Sequence, residues 1–143
     1  MIYKRKPKNF TPEFEVVSCF CEHDDKLLFL KRLKNKTQGG KWGVPTGKVD
    51  DGEDKLTALA REIFEETGIN AKSTDLEYFK SIYVNHGYDF IYHIYHYNLL
   101  KIESIKLSST EHESLKWVSV KDAFKLPLVD DLDECIRMFY AKV

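Results

Sequence analysis

The stretch from Gly47 to Ile69, GKVDDGEDKLTALAREIFEETGI, constrains this chain more than any other. Leu56, Leu59, Ala60 and Ile63 recur at i, i+3, i+4 and i+7, the spacing of one apolar side of an amphipathic helix. Gly68 stands where a helix stop belongs. Glu62, Glu65 and Glu66 follow at i, i+3 and i+4, so they share a neighbouring side. Ala58 lies between them on that side, so nothing bulky is expected to cover the carboxylates.

Such a face is uncomfortable as it stands. Like charges at i, i+4 cost a helix a few tenths of a kcal/mol each. The glutamates also sit near the helix C-terminus, where the macrodipole disfavours negative charge. Arg61 offsets only part of this. A bound cation would resolve the conflict, and oxygen ligands without His or Cys suit Mg²⁺, with Mn²⁺ as a substitute. On the glutamates alone, a solvated acidic face is the commoner reading.

The remaining chain supplies a sheet to pack this helix against. Phe14 to Cys21, Leu27 to Lys31, Leu76 to Tyr83 and Phe90 to Leu100 read as strands, with Asn85-His86-Gly87 as a turn between the last two. Trp117-Val118 reads as a short strand and Val120 to Lys125 as a short helix. Asp130 to Lys142 reads as a second long helix with Leu132, Ile136, Phe139 and Tyr140 inward. Lys31 to Lys41, with five basic residues and no acidic ones, reads as an exposed loop, and Lys41 to Asp54 as a structured turn region. Strands on both sides of one helix, without βαβ regularity, predict a mixed α+β fold. The 143 residues suit a single domain over 1–143.

Composition excludes several classes. Apolar residues at 43%, with 4 Pro and 7 Gly, argue against a disordered or fibrous chain. A net charge of −1 lacks the basic surplus of a nucleic-acid coat, so no stable nucleic-acid binding is expected. No apolar run reaches the roughly 18–20 residues of a membrane span, and MIYKRKPKNF lacks the apolar stretch of a secretory signal. The 3 cysteines, Cys19, Cys21 and Cys135, form no disulfide framework and lack a zinc ligand set; they read as small buried hydrophobes of a cytoplasmic protein. The small net charge is a cancellation. Residues 50–66 carry seven acids against two bases, downstream of the basic stretch 31–41.

The Gly47–Ile69 stretch resembles the signature of the Nudix hydrolase family, G-x5-E-x7-R-E-U-x-E-E-x-G-U, where U is a bulky aliphatic. Gly47, Glu53, Arg61, Glu62, Ile63, Glu65, Glu66, Gly68 and Ile69 fill every fixed position. From average composition a chance match is on the order of 10⁻⁷ in a chain this long. The signature covers 23 of the 143 residues. Trp42-Gly43-Val44-Pro45-Thr46-Gly47 is similar to the lead-in common in that family, with Thr46 where a second glycine is usual.

The resemblance implies an α/β/α sandwich around a mixed sheet. The helix of the signature and the C-terminal helix would pack on that sheet. It implies Mg²⁺-dependent hydrolysis of a phosphoanhydride in a nucleoside diphosphate linked to another group, as in MutT-like nucleotide pyrophosphatases. Glu62 and Glu66 are then the expected principal metal ligands, with Glu65 assisting and the Gly47 carbonyl as a further ligand. Arg61 and Glu53 are expected to pair and orient helix and loop. The general base would come from the signature or from Glu111; Glu113 shares that position's ambiguity, and His112 between them is expected to face solvent. Lys48, Arg32 and Trp42 are candidates for substrate binding. Whether the chain is a homodimer stays open. So do three other readings: a nucleotide sensor that does not cleave, a hydrolase of nucleotide sugars or dinucleoside polyphosphates, and an enzyme acting on capped RNA ends.

Overall fold

The computed structural model describes residues 1–102 and 104–141, so Lys142 of the expected C-terminal helix lies outside the described residues. Eight strands form one sheet: β1 (Ile2–Tyr3), β2 (Pro12–His23), β3 (Lys26–Arg32), β4 (Trp42–Gly43), β5 (Thr46–Lys48), β6 (Glu77–Asn85), β7 (Asp89–Asn98) and β8 (His112–Ser119). The order is β1-β6-β7-β2-β3-β4, with β5 also on β2 and β8 also on β3. β2 runs parallel to β7, from Pro12 opposite Asp89 to Glu22 opposite Asn98. The other pairings are antiparallel, so the sheet is mixed.

Helix α1 (Lys55–Thr67) covers one face and α3 (Leu132–Phe139) the other; α2 (Val120–Ala123) is a single turn, and Ser73–Asp75 forms a 3₁₀ turn. Val17, Cys19 and Cys21 of β2 point to α1 and meet Leu59 and Ile63. Phe20 points the other way, to Leu132, Cys135 and Ile136. A strand buried on both faces reads as a continuous apolar run rather than an alternation, which is why FEVVSCFC is so apolar. All three cysteines are free and buried.

α1 begins and ends where local chemistry dictates. The Asp54 side chain accepts the Leu56 backbone N–H at 3.0 Å. Gly68 adopts φ 77°, and its N–H donates to the Phe64 carbonyl at 2.8 Å. A left-handed cap of this kind favours glycine.

Several elements differ from the sequence reading. Ala58 is fully buried in the core rather than flanking the carboxylates. β8 extends back to His112 because it pairs along β3 as far as Arg32. Arg32, read as part of the basic loop, therefore sits in the strand with Lys31. The turn region after Lys41 holds the short strands β4 and β5. α3 is shorter than expected and is capped at Tyr140. Among the described residues, no helix is long and apolar enough to cross a membrane.

Candidate active site

β5 and α1 build the acidic part of the site. β5 lies antiparallel on β2, with Gly47 opposite Val17, and α1 packs directly beside it. A Cβ at Gly47 would overlap the Glu62 carboxyl group, so only glycine lets that carboxylate settle on the strand backbone. One turn on, Glu66 is 5% exposed. It hydrogen-bonds Glu62 and accepts the Thr46 backbone N–H, and it also feels Glu111. Burial, then the charge of Glu62, pushes the Glu66 carboxyl well above the usual carboxylate range. Burial raises Glu62 as well. Two carboxyl groups this close disfavour the doubly ionised state unless a cation joins them.

Arg61 organises the rim of this acidic site. Its Nε donates to Glu53 Oε2 at 2.9 Å and its Nη2 to Glu53 Oε1 at 3.0 Å, a bidentate pair. Nη2 also donates to the Lys48 carbonyl at 3.2 Å, tying the helix to β5. Nη1 donates to Glu62 at 2.9 Å and stands 3.4 Å from Glu65. The hydrogen bonds to Glu53 raise the guanidinium further above its already high value, and the Arg61 bond lowers Glu53. The pair is therefore ionised at any working pH.

A cleft of about 780 Å³ opens over these groups, lined by Gly47, Glu62, Glu65, Glu66, Ser108 and Glu111 among others. Glu111 arrives from the turn before β8, where its carbonyl accepts the Leu33 N–H at 3.1 Å. Glu111, far along the chain from Glu62, Glu65 and Glu66, is thus brought to the same cleft. Glu113 is not among its lining residues; it pairs with Lys31 at 3.3 Å.

A second cleft, about 290 Å³, adjoins the first. Its walls are mostly apolar and aromatic: Ile2, Phe14, Ile82, Tyr88, Phe90 and Leu132 take part. Phe14 and Phe90 stack at 5.2 Å between ring centroids and 13° between planes. Val16, Arg32, Thr46, Lys48 and His112 line both clefts. Lys48 reaches over the Phe14 ring at 4.1 Å, and Arg32 Nε donates to the Thr37 carbonyl at 2.7 Å.

Trp42 does not join this group. It is 5% exposed, packs in the core on the α3 face, and lies outside the lining of both clefts. His112, expected at the solvent face, is 7% exposed instead. Its Nε2 stands 3.9 Å from Glu66 Oε1, and burial lowers its pKa. The six wall residues named above come from β1, β2, β6, β7 and α3, with Tyr88 from the turn between β6 and β7.

The resemblance of the Gly47–Ile69 stretch implies a divalent cation here, and the donor set fits one chemically. Among the described residues, no three Asp, Glu, His or Cys side chains already converge to hold a metal. Mg²⁺ does not ask for three. It is commonly bound by one or two carboxylates, with waters and substrate phosphates completing the octahedron. Glu62 and Glu66, facing each other beside the Gly47 backbone, fit that oxygen-only requirement.

Comparison with known proteins places this architecture. The NUDIX domain model matches residues 12–139. The chain is 34% identical over 116 residues to the CTP pyrophosphohydrolase of Escherichia coli (strain K12), covering 80% of this chain and 82% of that protein. The solution structure of the E. coli ORF135 protein superposes with a TM-score of 0.74 at 30% identity, covering 90% of this chain and 89% of the other. The MutT protein of Methanosarcina mazei Go1 superposes with a TM-score of 0.78 at 24% identity, covering 95% and 98%. The chain belongs to the NUDIX family and is a Nudix hydrolase. Its substrates are of the nucleotide type, and hydrolases of this family generally use divalent metals.

Proposed function

We propose that the protein is a Mg²⁺-dependent pyrophosphohydrolase of nucleoside triphosphates, with cytidine triphosphate the first substrate to test. One observation carries this reading: an acidic cleft and an aromatic cleft meet along a seam that holds two cations, Arg32 and Lys48. A nucleoside triphosphate has the matching polarity, a flat apolar base at one end and a polyanion at the other. The relation to the E. coli CTP pyrophosphohydrolase supports the choice of cytidine.

Glu62, Glu66 and the Gly47 carbonyl would hold the metal, with Glu65 able to exchange its Arg61 contact for it. Bound Mg²⁺ neutralises phosphate charge and lowers the pKa of a water. Arg32 and Lys48 bind and orient the polyphosphate. Glu111, across the cleft from Glu66, takes the proton of the attacking water. That oxygen bonds to phosphorus, and the P–O bond bridging the α- and β-phosphates breaks, so that nucleoside monophosphate and pyrophosphate separate. Arg61 and Glu53 do not touch the reacting atoms; they hold helix and strand in register.

The test is a panel of nucleotides with Mg²⁺, read as released pyrophosphate or phosphate. Pyrophosphate release from a nucleoside triphosphate is expected. Tight binding of one member with no cleavage would identify a sensor instead, and preferred cleavage of capped RNA would displace the free-nucleotide reading.

A further inference from the structure

Gln38 lines the aromatic cleft and not the acidic one. A backbone group fixes its side chain: the Asp130 N–H donates to Gln38 Oε1 at 2.6 Å. A backbone N–H can only donate, so the atom facing it is the amide oxygen and the other end is the NH₂. That Nε2 carries two hydrogens and, among the described residues, has no acceptor. It is not one of the buried unpaired atoms of those residues either, so it is open rather than sealed.

The surroundings hold this amide in place. Gln38 takes φ 54°, a conformation that a long side chain seldom adopts unless its neighbours over-determine it. Here they do. The Gln38 carbonyl accepts the Lys41 N–H at 3.2 Å, and the Thr37 carbonyl accepts Arg32 Nε at 2.7 Å. Lys41 Nζ donates to Asp130 Oδ1 at 3.3 Å. The loop after β3 is thereby clipped to the segment before α3, and the amide is set before any ligand arrives. His86, which also lines the cleft, has its Nε2 engaged by Asp131 Oδ2 at 2.8 Å.

A base that packs against Phe14 and Phe90 leaves water, and the acceptors on its edge leave water with it. An acceptor buried without a donor costs more than a made bond contributes, so a cleft that takes a base has to offer donors at its wall. Cytosine carries two acceptors side by side, O2 and N3, and one donor, the 4-amino group. An amide NH₂ matches the first two and cannot match the third. Resting on the nucleotide reading above, we propose that Gln38 is a substrate-contact residue whose Nε2 donates a hydrogen bond to O2 or N3 of the cytosine ring. Nothing local in the basic stretch 31–41 discloses this role, since only the folded chain brings Gln38 to Asp130.

The experiment measures KM and kcat for CTP, 3-deaza-CTP (a C–H in place of N3) and 2-thio-CTP (sulfur, a poor acceptor, in place of O2), with wild type and with Gln38→Glu. The glutamate keeps the side-chain length and an acceptor for the Asp130 N–H, and it replaces the NH₂ by an oxygen that cannot donate. Removing the contacted acceptor is expected to raise KM about tenfold in wild type with kcat little changed, the scale of leaving a hydrogen-bonding group unpaired. The analogue that shows the effect identifies the atom. In Gln38→Glu the KM for CTP is expected to rise and the analogue-to-CTP ratio to fall near one; the added negative charge acts on all three substrates alike and drops out of that ratio. The side-chain ¹H–¹⁵N signals of Gln38 in wild type are expected to shift on addition of CTP. Equal KM for all three substrates in wild type, an unchanged ratio in Gln38→Glu, or unmoved amide signals would each overturn the assignment, and the wild-type comparison stands whether or not the variant folds. Turnover keeps the two proposals apart. If wild type cleaves no nucleotide, the nucleotide reading falls. If it cleaves another nucleoside triphosphate and not CTP, or CTP without discriminating the analogues, only the role of Gln38 falls.

Discussion

The two clefts differ in how they are made. The acidic one draws Glu62, Glu65 and Glu66 from a single helix and sets them against one strand through Gly47. The aromatic one draws Ile2, Phe14, Ile82, Phe90 and Leu132 from five elements that meet only after the whole sheet has formed. Local geometry therefore fixes the chemistry, and tertiary geometry fixes what is offered to it. A change in the first should act on the chemical step, and a change in the second on binding.

The sharpest way to break that division is Glu66→Gln. The amide keeps the shape and removes a buried charge whose ionisation burial already opposes. We expect kcat to fall by at least about 10²-fold, the scale of general acid–base or metal-assisted contributions. Thermal melting should show a Tm at or above that of wild type, because no buried charge is then left unpaired. Near-normal turnover would remove Glu66 from the chemical step.

Gly47→Ala tests the same cleft from the strand side. The added Cβ meets the Glu62 carboxyl group, so that side chain must swing off β5. Overpacking of this kind costs on the order of 1–3 kcal/mol, and we expect Mn²⁺ affinity, read by EPR, to fall with it. Unchanged Mn²⁺ binding would mean that Glu62 is not held for the metal.

This contrast also explains what the sequence discloses. For the acidic cleft, spacing along the chain is spacing in the molecule, because i, i+3 and i+4 on a helix stay neighbours whatever surrounds them. The strands β2, β3, β6 and β7 announced themselves by their run of strand-forming residues, whereas β4 and β5, with 2 and 3 residues, are too short to show any period. Trp42 looked like a substrate contact because it is an aromatic available to pack on a base, but pairing of β4 with β3 turns it into the core. His112 looked exposed because polar neighbours flank it, yet the register with Arg32 buries it. Neither fact lives in the local sequence; both depend on which strand lies alongside.

In the aromatic cleft the informative change is Tyr88→Ala. Tyr88 is 44% exposed and leans on Phe14 and Phe90 at centroid distances of 5.7 and 5.8 Å. Its loss removes contact surface for a base while leaving the core intact. We expect KM to rise roughly three- to tenfold, as for loss of an aromatic contact, with kcat little changed. A fall in kcat at constant KM would contradict the assignment of this cleft to binding.

The smallest effect lies in neither cleft, and it tests whether pH dependence belongs to the site alone. His93, on the α1 face of β7, is buried; its Nε2 stands 2.7 Å from Glu15 and its Nδ1 2.6 Å from Ser81 Oγ, which Tyr78 OH approaches at 2.6 Å in turn. Burial lowers the imidazole pKa, and nearby Lys55 lowers it further, against a smaller opposing pull from Glu15. In the unfolded chain the imidazole titrates near its ordinary value of about 6.5. As pH falls through that value the unfolded state takes up a proton first, so stability decreases between about 6.5 and the lower folded pKa. Above that window both states are neutral and the term vanishes. We expect Tm of wild type to decline on acidification through this range, and His93→Gln, which cannot titrate, to decline less, with kcat/KM at neutral pH unaltered. An identical slope of Tm with pH in the two proteins would return the whole acid sensitivity to the carboxylates and to His112.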